Sequence, residues 1–435
     1  MPDLLRRALV VAGCLVLLVA PGAVGQAPTE APLPIPAEAQ AGPHFDPVAA
    51  TNAYLATVRA DQRARSDAYF EGGYWLLLWD FLASTAVYLL LLATGWSARM
   101  RDLAERVTRL RPLQTFLYWL QFLVVTFTML FPLTAYEGFI REHAYGLATQ
   151  RFGSWFGDEL KTLAVGVVLG GIFAIAIYGV LRRAGPRWWI WGSGVTIAFL
   201  AITAVIAPVY IAPLFNTYVK LDDARIKDPI LSMARANGIP ASEVYVMDAS
   251  RQTTRVSANV SGFLGTERIT LNDNLLKRCT LPEIEATMGH EMGHYVLNHA
   301  YKAVLFFGVL TVFGFAFMRW GIGWALARYD DRWHLRGVDD VAALPLLALL
   351  LGIYGFVLTP ITNSYSRSQE YEADIFGLNA SGQPDGEALV DLKLGDYRKL
   401  DPGPVEELLF FDHPSGRTRI YAAMRWKAEH LHPSP

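Results

Sequence analysis

The chain has 435 residues, of which 53% are hydrophobic and only 18% charged, with a net charge of −2. Soluble domains carry about 25% charged residues, and burial deepens too slowly with length to explain the shortfall. Long apolar stretches are therefore implied, and both an ordinary soluble enzyme and an intrinsically disordered chain are excluded. The near-neutral charge also argues against a nucleic-acid partner, which calls for a basic chain.

The N-terminus places Arg6 and Arg7 before an apolar run from Ala8 to Val19 and a small-residue stretch from Ala23 to Ala27. This pattern predicts that residues 1–27 are a signal peptide, with a first transmembrane helix as the alternative. Cys14 lies inside that run and the only other cysteine is Cys279, so no disulfide framework is available. Residues 28–45 are rich in Pro, Ala and Glu and read as an extended linker. Residues 46–72 read as a polar helix, so 28–72 form one N-terminal polar segment.

Apolar stretches then recur at about 74–96, 114–135, 162–181, 188–211, 302–326 and 341–361. Each has roughly the 20 residues needed to cross a hydrocarbon core. Trp75, Trp79 and Trp96 flank the first, and Trp188, Trp189 and Trp191 open the fourth, as side chains of the membrane interface do. Four spans are thus expected within 73–211 and two within 302–361, with polar segments at 212–301 and 362–435.

Arg99, Arg101, Arg106, Arg109 and Arg111 follow the first span; Arg182, Arg183 and Arg187 join the third to the fourth; Arg328, Arg332 and Arg336 join the fifth to the sixth. Those eleven basic residues face three, Arg141, Arg151 and Lys161, in the opposite loop. The basic loops are expected in the cytoplasm. The polar segments then lie outside it, in a bacterial inner membrane with the periplasm beyond.

Within 212–301, EVYVMD (243–248) and ERITLND (267–273) alternate as strands do, and RQTTRVSANVSGF (251–263) is a further candidate strand. Then comes TLPEIEATMGHEMGHYVLNH, from Thr280 to His299. Thr280 and Glu283 have capping-box spacing, and Pro282 falls in a first turn. HEMGH is thereby set inside a helix. His290 and His294 stand one turn apart on one face and can converge on one ion. Glu291 is placed to take a proton from a metal-bound water. His299, beyond the motif, reads as a surface or interfacial histidine.

A catalytic zinc site takes three protein ligands and leaves a position for water. After the last span the chain reads NSYSRSQEYEADIFGL from Asn363. Glu370 and Asp374 are one helical turn apart. Glu370 is the candidate third ligand, and Asp374 can accept the distal N–H of a ligand histidine. Arg367 could hold either carboxylate, while Glu372 points elsewhere. In FDHPSGRTRI, from Phe411, His413 is a candidate donor to an oxyanion. Arg419 could do the same or anchor a carboxylate.

HEMGH, SRSQEYEAD and the HP-x4-RI tail, in that order, resemble the type I CAAX prenyl endopeptidases, integral-membrane zinc metalloproteases related to the HtpX-type proteases. IAPLFN (211–216), SANVSGFLGTERITLNDNLL (257–276) and EHAYGL (142–147) extend the likeness over roughly 110–430. The resemblance implies one Zn²⁺ per chain on His290, His294 and Glu370, Glu291 as general base, Asp374 behind the ligands and His413 as transition-state donor. It also implies helices enclosing a large intramembrane chamber. Where that family has Asn-Ala-Tyr on a substrate-pairing edge strand, this chain has Ser257, Ala258 and Asn259. Backbone pairing with a peptide survives that change. Eukaryotic members present the zinc domain to the cytosol, against the arginine count here.

The expected architecture is mainly α: a polytopic bundle of six spans, plus the signal peptide or a seventh span, with a small α+β, gluzincin-like zinc peptidase domain. The expected activity is zinc-dependent endopeptidase cleavage, either of CAAX type or in membrane-protein quality control. The partners are a peptide or protein substrate and the lipid bilayer. The rival is a non-catalytic membrane protein, a transporter or scaffold with a structural zinc site. A structural site would need four protein ligands; no cysteine lies near HEMGH to supply the fourth, although His299 or His413 could.

Overall fold

The computed structural model describes residues 33–261 and 267–430; the signal-peptide expectation for 1–27 lies outside them. Among the described residues six helices are long and apolar enough to cross a membrane: Ala60–Ala93, Arg111–Ala144, Phe152–Arg183, Gly185–Leu214, His299–Trp333 and Val341–Ser381. They expose large apolar side chains, among them Leu305, Phe313, Trp320 and Val357, as membrane-spanning helices do.

Helices are numbered in chain order. α1 is Pro47–Ala56, capped by the Asp46 side chain, which accepts from the Val48 N–H at 2.9 Å. α2 (Ala60–Ala93) is the first span, α3 (Trp96–Val107) is a short amphipathic helix, and α4 (Arg111–Ala135) is the second span. α5 (Phe152–Arg183) and α6 (Trp188–Ile206) complete the first four. The polar helix expected at 46–72 is divided at Thr57–Arg59, and its second half is the opening of α2. Pro132 and Pro208 interrupt the ladder at the far ends of α4 and α6, where the chain widens into π-turns at Tyr136–Arg141 and Ala207–Ile211.

The basic loops gather at one end of the bundle. Arg101 of α3 is buried there, donating to Asp340 Oδ2 at 2.6 Å and to the His334 carbonyl at 2.9 Å. Arg336 reaches back to Glu105 at 2.7 Å. Ser97 Oγ ties the same layer to the Ala342 carbonyl at 2.7 Å.

At the other end the chain leaves the bundle as β1 (Tyr218–Lys220), α7 (Ala224–Ala236), β2 (Val244–Met247), β3 (Ala258–Ser261) and β4 (Arg268–Asn272). The sheet runs β1-β2-β4-β3. β2 and β4 are parallel and the outer pairs antiparallel. β3 is therefore an edge, and within the candidate strand at 251–263 it begins only at Ala258, because Thr253 bridges to Ala148 and the Thr254 N–H donates to the Leu147 carbonyl at 3.0 Å instead. α8 (Asp273–Arg278) and α9 (Leu281–Val296) follow. In α9 the Glu283 carboxylate accepts the Thr280 backbone N–H at 2.6 Å, which fixes its start as the capping spacing predicts. Ile284, Met288 and Met292 bury the inner face of α9 against the sheet core of Val244, Val246, Ile269 and Leu271.

α10 (His299–Trp333) and α11 (Leu344–Ser381) are the last two spans, and α12 (Pro384–Leu394), α13 (Pro404–Phe410) and α14 (Gly416–His430) close the chain. α11 does not end with its apolar part but runs on as one helix into the polar layer. There it crosses α9 at a glycine pair. A Cβ on Gly289 would stand 2.8 Å from the Gly377 carbonyl oxygen, and one on Gly377 would stand 2.7 Å from the His290 nitrogen. Only hydrogen fits between backbones this close.

Of the expected linker, Ala39 is not free but packs with the helix expected after it. Ala39, Ala50, Tyr54 and Leu55 are buried against Leu389 of α12 and Ile420, Ala423 and Met424 of α14. The Tyr54 hydroxyl donates to Asp385 at 2.7 Å, and Lys427 Nζ donates to Asp385 and the Ala39 carbonyl, both at 2.6 Å. The N-terminal segment thus lies on the same side of the bundle as the sheet and α14.

Candidate active site

The α9–α11 crossing brings the two halves of the site together. His290 Nε2 and His294 Nε2 converge to 3.1 Å. Glu370 Oε2 stands 3.2 Å from His290 Nε2, and Glu370 Oε1 stands 3.6 Å from His294 Nε2. One donor atom from each of the three residues falls within 4.8 Å of the others, and the trio is the one such group among the described residues. Two imidazoles and one carboxylate leave a fourth position of a tetrahedron open, so the donor set fits a catalytic zinc ion.

Each histidine has its other nitrogen engaged. His290 Nδ1 lies 2.8 Å from Asp374 Oδ1, and His294 Nδ1 lies 2.9 Å from His299 Nδ1. Burial alone would lower the His290 pKa, but its bonds to Asp374 and Glu370 outweigh that and hold it well above the ordinary histidine value. A metal ion must displace that proton to bind. Glu291 is partly buried beside the pair, and desolvation raises its carboxyl above the ordinary glutamate value despite the neighbouring histidines.

Behind Asp374 sits a charged cluster. Arg419 Nη2 is 2.6 Å from Asp374 Oδ1 and 3.1 Å from Glu387 Oε1, and Nη1 is 2.9 Å from Asp391 Oδ1. All four side chains are buried. One guanidinium cannot neutralise three carboxylates, so burial drives the Asp391 pKa well up and raises that of Glu387. Asp391 Oδ2 finds no partner, as suits a neutral carboxyl. Arg419 thus anchors three buried carboxylates, Asp374, Glu387 and Asp391.

Arg367 does not reach Glu370 or Asp374. It donates to the Glu407 carbonyl at 2.8 Å and the Phe411 carbonyl at 2.6 Å, and so shapes the loop carrying His413. His413 Nε2 stands 3.3 Å from Glu370 Oε2. Its Nδ1 lies 2.8 Å from Asp412 Oδ1. Burial would raise the Asp412 pKa, but that bond outweighs it and holds the carboxyl below the usual range. Ser257 immediately precedes β3 and its carbonyl accepts from the Asn272 N–H at 2.9 Å. Ala258 turns inward, while Ser257 and Asn259 are exposed. The free edge of β3 borders α9.

Sequence reasoning passed over four residues of this region. His299 is buried rather than on the surface, because Asn298 adopts a left-handed conformation (φ 59°) that turns α10 back over the end of α9. Glu372, one face away from Glu370, bonds His299 Nε2 at 3.2 Å. Glu387 and Asp391 lie at i and i+4 in PDGEALVDLKL, and that spacing was the available signal.

A family model described as peptidase family M48 matches residues 220–427, and one described as CAAX prenyl protease N-terminal, five membrane helices, matches residues 50–217. The chain is 29% identical to the "Uncharacterized metalloprotease YhfN" of Bacillus subtilis, over 78% of this chain and 79% of that one. It is 28% identical to the "CAAX prenyl protease 1 homolog" of Arabidopsis thaliana, over 72% and 75%. It is 26% identical to the "CAAX prenyl protease 1" of Saccharomyces cerevisiae, over 67% and 68%. The fold matches the crystal structure of S. mikatae Ste24p with a TM-score of 0.72 at 20% identity, over 84% of this chain and 89% of that one. With both family models in register along one membrane-spanning chain, the protein belongs to the M48 peptidases, in the branch with the CAAX prenyl protease helices, and is an integral-membrane zinc metalloendopeptidase.

Proposed function

We propose that this protein cuts polypeptides at the membrane boundary with one Zn²⁺ per chain, held by His290, His294 and Glu370. The convergence of those three residues, with Asp374 behind His290, carries the reading. When bound, zinc polarises the scissile carbonyl and brings the pKa of water down toward about 7. Glu291 takes the proton of the attacking water and passes it to the leaving amine. His413 donates to the oxygen on which charge develops. Asp374, locked by Arg419, keeps the His290 N–H on Nδ1 and so leaves Nε2 to bind. The substrate lies extended along the β3 edge at Ser257, Ala258 and Asn259, paired through its backbone.

The names of the plant and yeast relatives support CAAX-type carboxyl-terminal peptides as the substrate class, with quality control of membrane proteins as the other reading of the same site. Matched peptides with and without a prenyl group separate the two. The arginine asymmetry supports a bacterial inner membrane with the zinc domain in the periplasm.

The test is Glu291→Gln. The variant is expected to keep its zinc by elemental analysis and to lose peptide cleavage by several orders of magnitude, because base and metal act as a unit. Wild-type cleavage by the variant would remove Glu291 from the mechanism.

A further inference from the structure

A neutral imidazole carries one N–H, so a histidine that offers Nε2 to a metal must carry its hydrogen on Nδ1, and that hydrogen needs an acceptor. For His290 the acceptor is Asp374. His294 has no carboxylate in the corresponding place. Its Nδ1 faces another imidazole nitrogen, His299 Nδ1, at 2.9 Å.

Two ring nitrogens at that separation share a single hydrogen, and the pair alone does not say which holds it. If His299 Nδ1 donated, the His294 hydrogen would sit on Nε2, pointing at His290 and Glu370, and the ligand position would be blocked. The far side of His299 decides the matter. His299 Nε2 lies 3.2 Å from Glu372 Oε2, and an ionised carboxylate only accepts. Lys302 Nζ donates to the same oxygen at 2.7 Å. The hydrogen of His299 is therefore drawn to Nε2, which leaves Nδ1 bare to accept from His294.

We propose that His299 and Glu372 are positioning residues that hold His294 in its metal-binding tautomer, through the relay His294 Nδ1–H to His299 Nδ1 and His299 Nε2–H to Glu372. The inference rests on His294 being a zinc ligand. The arrangement is built in. His299 is 5% exposed, its ring stands edge-on to His294 at 5.0 Å between centroids, and the left-handed turn at Asn298 places it there. The two ligand histidines are thus supported unequally, one by a charged carboxylate and the other by a neutral ring backed by a half-exposed ion pair.

The experiment measures Zn²⁺ affinity of the full-length purified protein by competition with a chromophoric chelator, alongside the thermal midpoint of the metal-stripped protein. His299→Leu removes the acceptor and is expected to weaken Zn²⁺ binding about 10–100-fold, the usual cost of losing such a partner. His299→Gln keeps a carbonyl oxygen that can accept from His294 and is expected to recover most of that loss. Glu372→Ala frees the tautomer without touching the core and is expected to weaken binding several-fold, with the metal-free midpoint unchanged. Equal affinities for the Leu and Gln variants, or unaltered binding in Glu372→Ala, would overturn the proposal; the Glu372 variant keeps it testable should His299→Leu fail to fold. His294→Ala is the control on the parent reading: if it keeps zinc, the ligand set itself is wrong and this inference goes with it.

Discussion

Glu291 and Asp391 are both acids that burial drives upward, with opposite consequences. Glu291 acts as a base and must be ionised. In the metal-free site desolvation raises its pKa, whereas a bound cation favours the ionised form; kcat/KM falls as pH drops and the base is protonated, and a pH–rate profile measures that midpoint. Asp391 has no such duty, and burial raises its pKa well above the ordinary aspartate value. For an acid whose folded pKa is raised, stability is fully present below the unfolded value and is lost as pH rises toward the folded one. Asp391→Asn, which resembles the protonated carboxyl, is therefore expected to unfold at the parent temperature near pH 4 and above it near pH 8. Asp374→Asn is expected instead to cost about 10–100-fold in metal affinity. Differential scanning fluorimetry and chelator competition separate the two. HEMGH on α9 and the Glu370–Asp374 pair on α11 were legible because each has its own one-turn helical spacing, although the two lie on different helices. Arg419 was legible as a residue but not in its duty, since nothing local indicates that three carboxylates converge on it. His299 was misread because i to i+5 is not a helical spacing; the contact exists only through the left-handed turn at Asn298.

At the scale of elements, the site depends on how close α9 can come to α11. The glycine before HEMGH and Gly377 are 88 positions apart in the chain, so no periodicity relates them, yet their backbones touch. Gly289→Ala is expected to push the helices apart or strain them by about 1–3 kcal/mol. It should lower zinc occupancy together with the thermal midpoint, whereas the same change at Gly352, which has open space around it, should do neither. The six spans were legible from length and hydropathy alone. β1 was not, because three residues of mixed polarity carry no strand pattern until β2 pairs with them.

For the whole molecule, an even number of spans separates His290 from Glu370, and the basic loops close the opposite end of the bundle. That end is expected in the cytoplasm. Alkaline phosphatase fused after Pro435 should be active and a cytoplasmically maturing fluorescent protein in its place dark; the reverse would invert the orientation and leave the chemistry intact. The packing of Tyr54 onto Asp385 puts residues 37–56 on the peptidase side too, so a tag inserted after Gly42 should share the reporter's compartment. α11 carries a further consequence. Glu370 stands 26 residues beyond Leu344 along one continuous helix, about 39 Å at 1.5 Å per residue. The third ligand is therefore the tip of a lever whose shaft is immersed in hydrocarbon, with Pro360 inside it as a point of give. Acyl chains too short or too long for the shaft tilt it, and tilt at the shaft is displacement at the tip. In proteoliposomes of graded phosphatidylcholine chain length, cleavage should pass through a maximum and fall on both sides. Zinc content should fall with it, so that membrane thickness becomes a determinant of how well a metal site outside the membrane is assembled.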